Sequence, residues 1–282
     1  MRSPVVSLLL ALLLLPPAAL AQDAKVHYDA GMAHLQDGDC PAAIAELTQA
    51  IRLDPQMAVA WKDRGRCRYL LEDAEGAVAD YTRALELDPT FKMVYNNRGA
   101  ARRTLDDLPG GLADLDRAIE LDPEFDFAFL NRGLTRLLAG DSAGGRADVA
   151  RGLELGTQYV DYPQLWLWTD RVAAGESDAA KALEAHVAAR GEEIGEWEGT
   201  LMSFLLGRSD EAALLAAVEG AEPPDRSGRA CEANFYAGMV RWAKGDAAGA
   251  RSLLEKSVAT SRWTFAEYAF ARRMLRRLDE KE

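Results

Sequence analysis

The chain has 282 residues, of which 49% are hydrophobic and 28% charged, the balance of a folded protein rather than a disordered one. Its formal charge of -12 disfavours sequence-independent binding to nucleic-acid phosphates, so we expect no nucleic-acid partner. Three cysteines and three histidines are too few for a disulfide scaffold or a Cys/His zinc cluster. We therefore expect no metal site and no cofactor.

The first 21 residues have the features of a cleaved secretory signal peptide. Arg2 supplies a positive charge, an apolar run follows from Val5 to Leu15, and an A-x-A cleavage site is present at 19–21. The run is shorter than the roughly 20 residues of a membrane-spanning helix, and no later segment is apolar enough to span a bilayer. No cysteine stands at the cleavage site as in a lipoprotein. We expect cleavage after Ala21, export to the periplasm, and no integral membrane segment.

A 34-residue internal repeat organises the next part of the chain. The tripeptide Leu-Asp-Pro begins at positions 53, 87 and 121, and a ladder of glycines keeps the same spacing at Gly31, Gly65, Gly99 and Gly133. Small residues are expected where two helices cross with close backbones, and Asp-Pro ends a helix because proline has no N–H to donate. The pattern predicts repeated antiparallel helix pairs. The four units are 24–57, 58–91, 92–125 and 126–159.

After the fourth unit the period blurs, but the helix-turn-helix rhythm continues. Irregular helix pairs are predicted within 160–218. Residues 219–229, which contain Pro223-Pro224 and Gly228, are predicted to form a loop. A clearer repeat then returns, so 230–282 is predicted to form one more helix pair with a capping helix, which open-ended helical repeats need.

The 34-residue pattern resembles the tetratricopeptide repeat. The resemblance implies an all-α fold, a right-handed superhelix (α-solenoid) of helix-turn-helix repeats. It also implies a concave wall lined by the first helix of each pair. Repeats of this kind bind proteins or peptides, so the expected function is interaction with other proteins rather than catalysis.

The second half of the chain is similar to the NlpI family of bacterial lipoproteins. The similarity lies in residues 164–168 (Gln-Leu-Trp-Leu-Trp), 204–207 (Phe-Leu-Leu-Gly) and 232–238 (Glu-Ala-Asn-Phe-Tyr-Ala-Gly). It implies a non-enzymatic periplasmic adaptor that links peptidoglycan hydrolases to partners that include a C-terminal processing protease. An adaptor for envelope secretion or assembly machinery is the alternative within the same class.

Two features of the chain depart from that family. The lipobox cysteine is absent, so membrane anchoring does not follow from the resemblance. There is almost nothing between Gln22 and the first repeat, where the family carries a helical extension used for dimerisation. A homodimer is therefore left open.

The tetratricopeptide resemblance also implies a peptide-binding groove. Positions 2, 5, 9, 12 and 13 of each unit face the groove in proteins of this fold, which here creates a basic centre between apolar flanks. Such a surface suits a segment that carries a carboxylate; the alternative is that the basic side chains are simply solvated. The groove residues that we single out are Tyr28, Met32, Lys62, Arg66, Tyr69, Asn96, Arg103, Phe127 and Leu130.

One motif raises an enzymatic alternative. Residues 140–144 fit G-x-S-x-G, the nucleophile elbow of α/β-hydrolases, with Ser142 as the nucleophile of a serine hydrolase. That chemistry needs a strand before the serine, whereas the preceding segment is predicted as a helix and the motif as the turn after it. His186, the only histidine further along the chain, lies on a predicted amphipathic helix. We therefore expect a protein that is not an enzyme and has no catalytic residue.

The cysteines leave two possibilities open, because export would allow oxidation. Cys40 and Cys67 lie on helices that pack together in this fold. Either a disulfide joins them and leaves Cys231 free, or all three are small buried residues.

Overall fold

A computed structural model describes residues 17–262 and 264–280 of the chain. Within these residues every regular element is helical, with fifteen α-helices, a short 3-10 helix at Gly191–Glu193 and no β-strand. The all-α fold class predicted from the repeat is confirmed. Residues 1–16, which make up most of the predicted signal peptide, lie outside the described residues. None of the described helices combines the length and apolar character that crossing a bilayer requires.

The described helices form two compact units: the first contains α1 to α5 and ends at Leu105, and the second begins at Asp106 and contains α6 to α15. Within each unit, helices that follow one another along the chain pack together in pairs. In chain order the helices are α1 (Pro17–Gln36), α2 (Cys40–Leu53), α3 (Ala58–Leu70), α4 (Ala74–Leu87), α5 (Lys92–Thr104), α6 (Leu108–Leu121), α7 (Asp126–Ala139), α8 (Ser142–Glu154), α9 (Asp161–Ala174), α10 (Ala179–Arg190), α11 (Glu196–Leu205), α12 (Glu211–Glu219), α13 (Pro223–Ala243), α14 (Ala247–Ala259) and α15 (Ala266–Asp279).

The glycine ladder marks the points where the two helices of a repeat cross. A Cβ atom on Gly31 would lie 2.8 Å from Leu47 Cγ, and one on Gly65 would lie 2.9 Å from Tyr81 Cε1. Both neighbouring side chains are buried, so neither can easily move away. A Cβ on Gly133 in the second unit would meet a side chain at 2.8 Å. The glycines therefore permit the close backbone approach that their spacing predicts.

The second helix of each early repeat begins at an aspartate cap. Asp39 accepts a hydrogen bond from the Ala42 N–H at 3.1 Å, and Asp73 accepts one from the Gly76 N–H at 2.9 Å. Each bond satisfies a backbone donor that has no partner inside the helix. At its other end, α2 stops at Leu53, immediately before Asp-Pro, as the helix-ending effect of proline predicts.

A buried ion pair that the small-residue pattern of the repeat does not predict joins α3 to α4. The Arg64 guanidinium donates to both carboxylate oxygens of Asp80, at 2.9 and 2.7 Å, and lies over the Trp61 ring. In the second unit Arg132 makes the same forked contact with Asp148, at 2.8 and 2.7 Å. Both residues of this contact recur at the repeat spacing. The pair therefore belongs to the repeat and stabilises the packing of its two helices.

The loop predicted at 219–229 is wrong over most of its length. Helix α13 begins at Pro223 and continues without a break to Ala243. Proline is tolerated in the first turn of a helix, where its missing N–H would have no intrahelical partner, so here it marks a start. Gly228 lies inside this helix. The Phe265 ring packs against it so closely that a Cβ atom at this position would lie 2.9 Å from Phe265 Cζ.

The cysteines Cys40, Cys67 and Cys231 are buried free thiols. Cys40 and Cys67 belong to one apolar cluster in the first unit. Burial raises the pKa of Cys67 to about 12, and the neighbouring Cys40 thiol is the second cause of this rise. Of the two possibilities left open by the sequence, the structure therefore has small buried thiols rather than a disulfide.

Candidate peptide-binding surface

The predicted basic centre of the first unit is built around a buried carboxylate. Asp63 on α3 is 2% exposed; one of its oxygens accepts a hydrogen bond from the Tyr28 hydroxyl at 3.0 Å, and the other lies 3.0 Å from Lys62 Nζ. Burial, and then the Asp63 charge, raise the pKa of Tyr28, so this hydroxyl stays a donor. Lys62 Nζ also lies 5.6 Å from the centre of the Phe91 ring. Because its charge is already paired, Lys62 offers little to an incoming anion.

The other two basic residues of the centre differ in exposure. Arg66 on α3 is exposed, whereas Arg103 on α5 is half-buried. Burial lowers the pKa of Arg103, and a hydrogen bond with the Tyr69 hydroxyl opposes this. Tyr69 also lies within hydrogen-bond distance of Thr104 Oγ1, at 3.3 Å. The structure therefore brings Tyr69 and Arg103 together and leaves Arg66 as the exposed cation of the predicted centre.

Three further groove residues differ in exposure. Met32 is half-buried. Asn96 is buried, at 7% exposed, and its Nδ2 donates to Asn97 Oδ1 at 3.2 Å, so the prediction that Asn96 lines an open groove is wrong. In the second unit Phe127 is 37% exposed, and its ring contacts the Tyr159 ring edge-on. Of these three, Phe127 presents the most surface to a partner.

The prediction that Leu130 lines a groove is wrong. Leu130 is 5% exposed and packs with Val149 and Leu167 in a core cluster of the second unit. Gly152 on α8 leaves space that the leucine side chain fills, since a Cβ there would lie 2.7 Å from Leu130 Cδ2. The residue serves packing between α7 and α8.

The exposed large apolar side chains of the first unit concentrate on the first helices of its repeats. None of the described residues of α2 and α4 is an exposed large hydrophobic. Such a concentration is typical of interaction surfaces, because exposed apolar area is costly to hydrate. We define the first-helix face by these residues and the exposed arginine among them: Val26, Val59, Arg66, Leu70, Leu71, Met93 and Leu105. Val59 and Met93 occupy the same position of successive repeats. This shared position is the sequence signal from which their place on the first-helix face could be predicted.

Ser142 does not have the surroundings of a nucleophile elbow. It begins α8, and the segment before it is the helix α7. Its hydroxyl donates to Asp170 Oδ1 at 2.7 Å, whereas the imidazole of His186 lies 2.7 Å from Asp161 Oδ1. The serine therefore contacts an acid rather than a histidine base.

The second unit contains a pair of buried glutamates beside two cavities. Glu232 on α13 and Glu267 on α15 are each 2% exposed. The Trp197 indole donates to Glu232, and the Tyr236 hydroxyl donates to Glu267 at 2.8 Å. Cavities of about 370 and 310 Å³ both reach Glu232. Burial, and then the charge of Glu267, raise the pKa of Glu232 to about 8, so this carboxyl is largely protonated at neutral pH.

Comparison with known proteins finds a repeat family that matches part of the first unit. Residues 28–90 match the tetratricopeptide repeat family. No curated protein sequence is detectably similar to the chain. The described residues contain no cluster of three or more His, Cys, Asp or Glu side chains that could hold a metal ion.

Several solved structures share the fold. A tetratricopeptide repeat protein from Parabacteroides merdae ATCC 43184 is 17% identical, covers 92% of this chain and 99% of its own, and superposes with a TM-score of 0.60. PilW, a widely conserved type IV pilus biogenesis factor, is 18% identical over 87% of this chain and 96% of its own, with a TM-score of 0.57. The MamA protein is 17% identical over 61% of this chain and 94% of its own, with a TM-score of 0.55. Residues 28–90 therefore contain tetratricopeptide repeats, and the all-α fold of the chain is a tetratricopeptide fold.

Proposed function

We propose that the protein is an exported, non-enzymatic adaptor of the bacterial cell envelope that binds a segment of a partner protein on its first-helix face. The fold is consistent with a scaffold for protein–protein interaction. One observation carries the proposal: the exposed large apolar side chains of the first unit lie on α1, α3 and α5 or directly after them. Surfaces of this kind bind partners because covering them removes apolar area from water.

The chemistry of the face indicates what kind of segment fits it. Val59, Arg66 and Leu70 are spaced along α3 so that they lie on one side of the helix. Met93 on α5 is 47% exposed and adds apolar surface. Apolar side chains around an exposed guanidinium suit an extended or amphipathic segment that carries a carboxylate among apolar residues. Envelope peptidoglycan hydrolases and a C-terminal processing protease are the proposed partners, on the resemblance to the NlpI family.

Export is the second part of the proposal. Residues 21–23 are exposed, and Ala24 is the first buried residue of α1 among the side chains described from residue 20 onward. Cleavage after Ala21 would therefore leave the packed part of α1, from Ala24 onward, in place. Expression of the tagged protein, followed by periplasmic fractionation and N-terminal sequencing, tests this; Gln22 is the expected first residue. Retention of residues 1–21 in a cytoplasmic fraction would contradict export.

Affinity capture with quantitative mass spectrometry tests partner binding. The tagged protein is captured from its own envelope extract beside a Val59→Asp/Met93→Asp variant, which places charges on the first-helix face. The matched control is Gln49→Asp/Ala79→Asp, which places the same charges on exposed positions of α2 and α4. Circular dichroism confirms that both variants are folded.

The expected result is recovery of an envelope hydrolase or processing protease that the first variant loses and the control retains. Retention of the same partner by both variants would contradict the first-helix face. Recovery of secretion or assembly components instead would favour that alternative scaffold. Absence of any envelope protein from all three samples would overturn the proposed function.

A further inference from the structure

A small cavity of the second unit is lined by two arginines and two hydroxyl groups. Its volume is about 160 Å³, and it lies where α15 meets the start of α8 and the middle of α9. Arg273 and Arg277 come from successive turns of α15, Ser142 from α8, and Thr169 and Asp170 from α9. This cavity is separate from the residues of the first-helix face, so the two sites can be tested independently.

Neither arginine of the cavity forms an ion pair with a carboxylate of the described residues. Arg273 donates to a backbone carbonyl at the end of α7, and Arg277 donates to the Ala173 carbonyl at 2.9 Å. Burial lowers the pKa of Arg273, but a guanidinium stays charged in proteins. By contrast Arg276, on the outer side of the same helix, pairs with Asp106 at 3.0 Å. Two half-buried positive charges therefore face the cavity. The charge of Asp170, which lines the same cavity, acts on Arg273 but is also paired with Arg146.

Thr169 provides a second, independent sign of a ligand. The residue is 2% exposed and lines the cavity, yet its hydroxyl has no hydrogen-bond partner within the described part of the chain. A buried hydroxyl without a partner is unfavourable, because it has given up its hydrogen bonds to water. The oxygen itself is covered by protein atoms, so rotation of the side chain about its Cα–Cβ bond would turn the hydroxyl towards an acceptor placed in the cavity.

Asp170 limits the charge that the cavity can accept. Its Oδ1 accepts from the Ser142 hydroxyl at 2.7 Å, and its Oδ2 accepts from Arg146 Nε at 2.7 Å. Arg146 therefore balances this carboxylate, but its negative charge still faces the cavity. Repulsion from Asp170 acts more strongly on a doubly charged anion such as phosphate than on a singly charged one, and so offsets part of its stronger attraction to the two arginines.

We propose that the cavity binds a carboxylate group, held by the guanidinium groups of Arg273 and Arg277 and by the hydroxyl of Thr169. Charge-assisted hydrogen bonds from arginine match the flat, two-oxygen geometry of a carboxylate. The available volume accommodates a small carboxylic acid or the carboxylate end of a peptide.

Titration of the purified protein, followed by the NMR signals of the Thr169 and Ala173 amides, tests the assignment. The probes are sodium acetate, the peptide N-acetyl-Gly-Ala-Ala with a free carboxylate, the same peptide with an amidated end, and inorganic phosphate, all at one ionic strength set with chloride. Acetate and the free-carboxylate peptide are expected to give saturable shifts, and the amidated peptide none. Tighter binding of the peptide than of acetate identifies a peptide end as the ligand, and the reverse identifies a small acid.

Variants separate binding from packing. Arg273→Gln/Arg277→Gln is expected to weaken carboxylate binding at least about tenfold, and Thr169→Val about threefold, through loss of their hydrogen bonds. Arg276→Gln, on the same helix, is the control and should leave binding unchanged. If the double variant does not fold, Thr169→Val carries the test, because it keeps the shape of the side chain and removes only the donor.

Three outcomes would overturn the proposal. These are the absence of a saturable response to either carboxylate probe, tighter binding of phosphate than of acetate, and equal weakening by Arg276→Gln. None of them bears on the first-helix face.

Discussion

Replacement of Glu232 by glutamine should flatten the pH dependence of stability of the second unit. Burial and the charge of Glu267 raise the pKa of Glu232 from its ordinary 4.5 to about 8 in the folded protein. The folded chain therefore keeps a proton that the unfolded chain releases between pH 4.5 and about 8. The stabilisation that Glu232 contributes is fully present below pH 4.5 and is lost as the pH rises from 4.5 to about 8. Above about pH 8 it changes little.

The size of the effect follows from the pKa difference. One pKa unit corresponds to about 1.4 kcal/mol, so a rise from 4.5 to about 8 is worth at most about 5 kcal/mol. Hydrogen bonds from Trp197 and Tyr162 favour the ionised form, while Glu198 adds further repulsion against it. Glutamine keeps the size of the side chain and can accept the indole hydrogen bond, but it cannot ionise.

Urea unfolding at pH 5, 6, 7, 8 and 9, followed by tryptophan fluorescence, measures the difference. At pH 8 the Glu232→Gln variant should be more stable than the unchanged protein by about 2–5 kcal/mol, and at pH 5 the two should be nearly equal. Glu192→Gln removes an exposed carboxylate of the same unit and is the control, with no expected change in the profile. A variant with the unchanged pH profile, or one less stable at pH 8, would refute the buried-pair reasoning.

Three further predictions concern packing, charge and thiols. Gly65→Ala should lower the free energy of unfolding, measured by urea denaturation, by about 1–3 kcal/mol because its methyl group meets Tyr81. Gly199→Ala is the control: the nearest atom to its methyl group would be 3.8 Å away, so it should raise the free energy of unfolding by up to about 1 kcal/mol. Equal effects of the two changes would contradict the argument that Gly65 permits a close helix crossing. Asp80→Ala should cost about 3–5 kcal/mol in thermal unfolding because it leaves the buried Arg64 guanidinium without its carboxylate, and a loss below 1 kcal/mol would show that the pair is not needed. The buried cysteine thiols should react with a thiol reagent much more slowly in the folded protein than in denaturant, and equal rates followed by absorbance would contradict their burial.

Local signals in the sequence were enough to predict the helix pairs. Asp-Pro stops a helix, glycine permits close backbones, and both recur every 34 residues, so their effects do not depend on distant parts of the chain. Helix α9 extends over Asp161–Ala174, inside the range 160–218 for which the sequence predicts irregular helix pairs. The same reasoning failed at 219–229, because Pro and Gly occur both in loops and inside helices whose neighbours require them.

The binding surface was only partly predictable. Arg66 and Phe127, which their repeat positions assign to the groove, are exposed, since a position within a repeat sets which way a side chain points. They did not show that Lys62 is neutralised by Asp63 or that Leu130 fills the space above Gly152. Those outcomes depend on which side chains a neighbouring helix contributes.

The all-α class and the period of the repeat can be predicted from the amino-acid sequence alone, because they arise from interactions within a helix and between helices adjacent along the chain. Which charges meet depends on the packing of the folded chain. Glu232 and Glu267 come from α13 and α15, and the cavity between Arg273 and Thr169 joins α15 to α9. Such pairings are set by how helices far apart in the chain pack, and packing depends on the shapes of many side chains at once rather than on any local pattern.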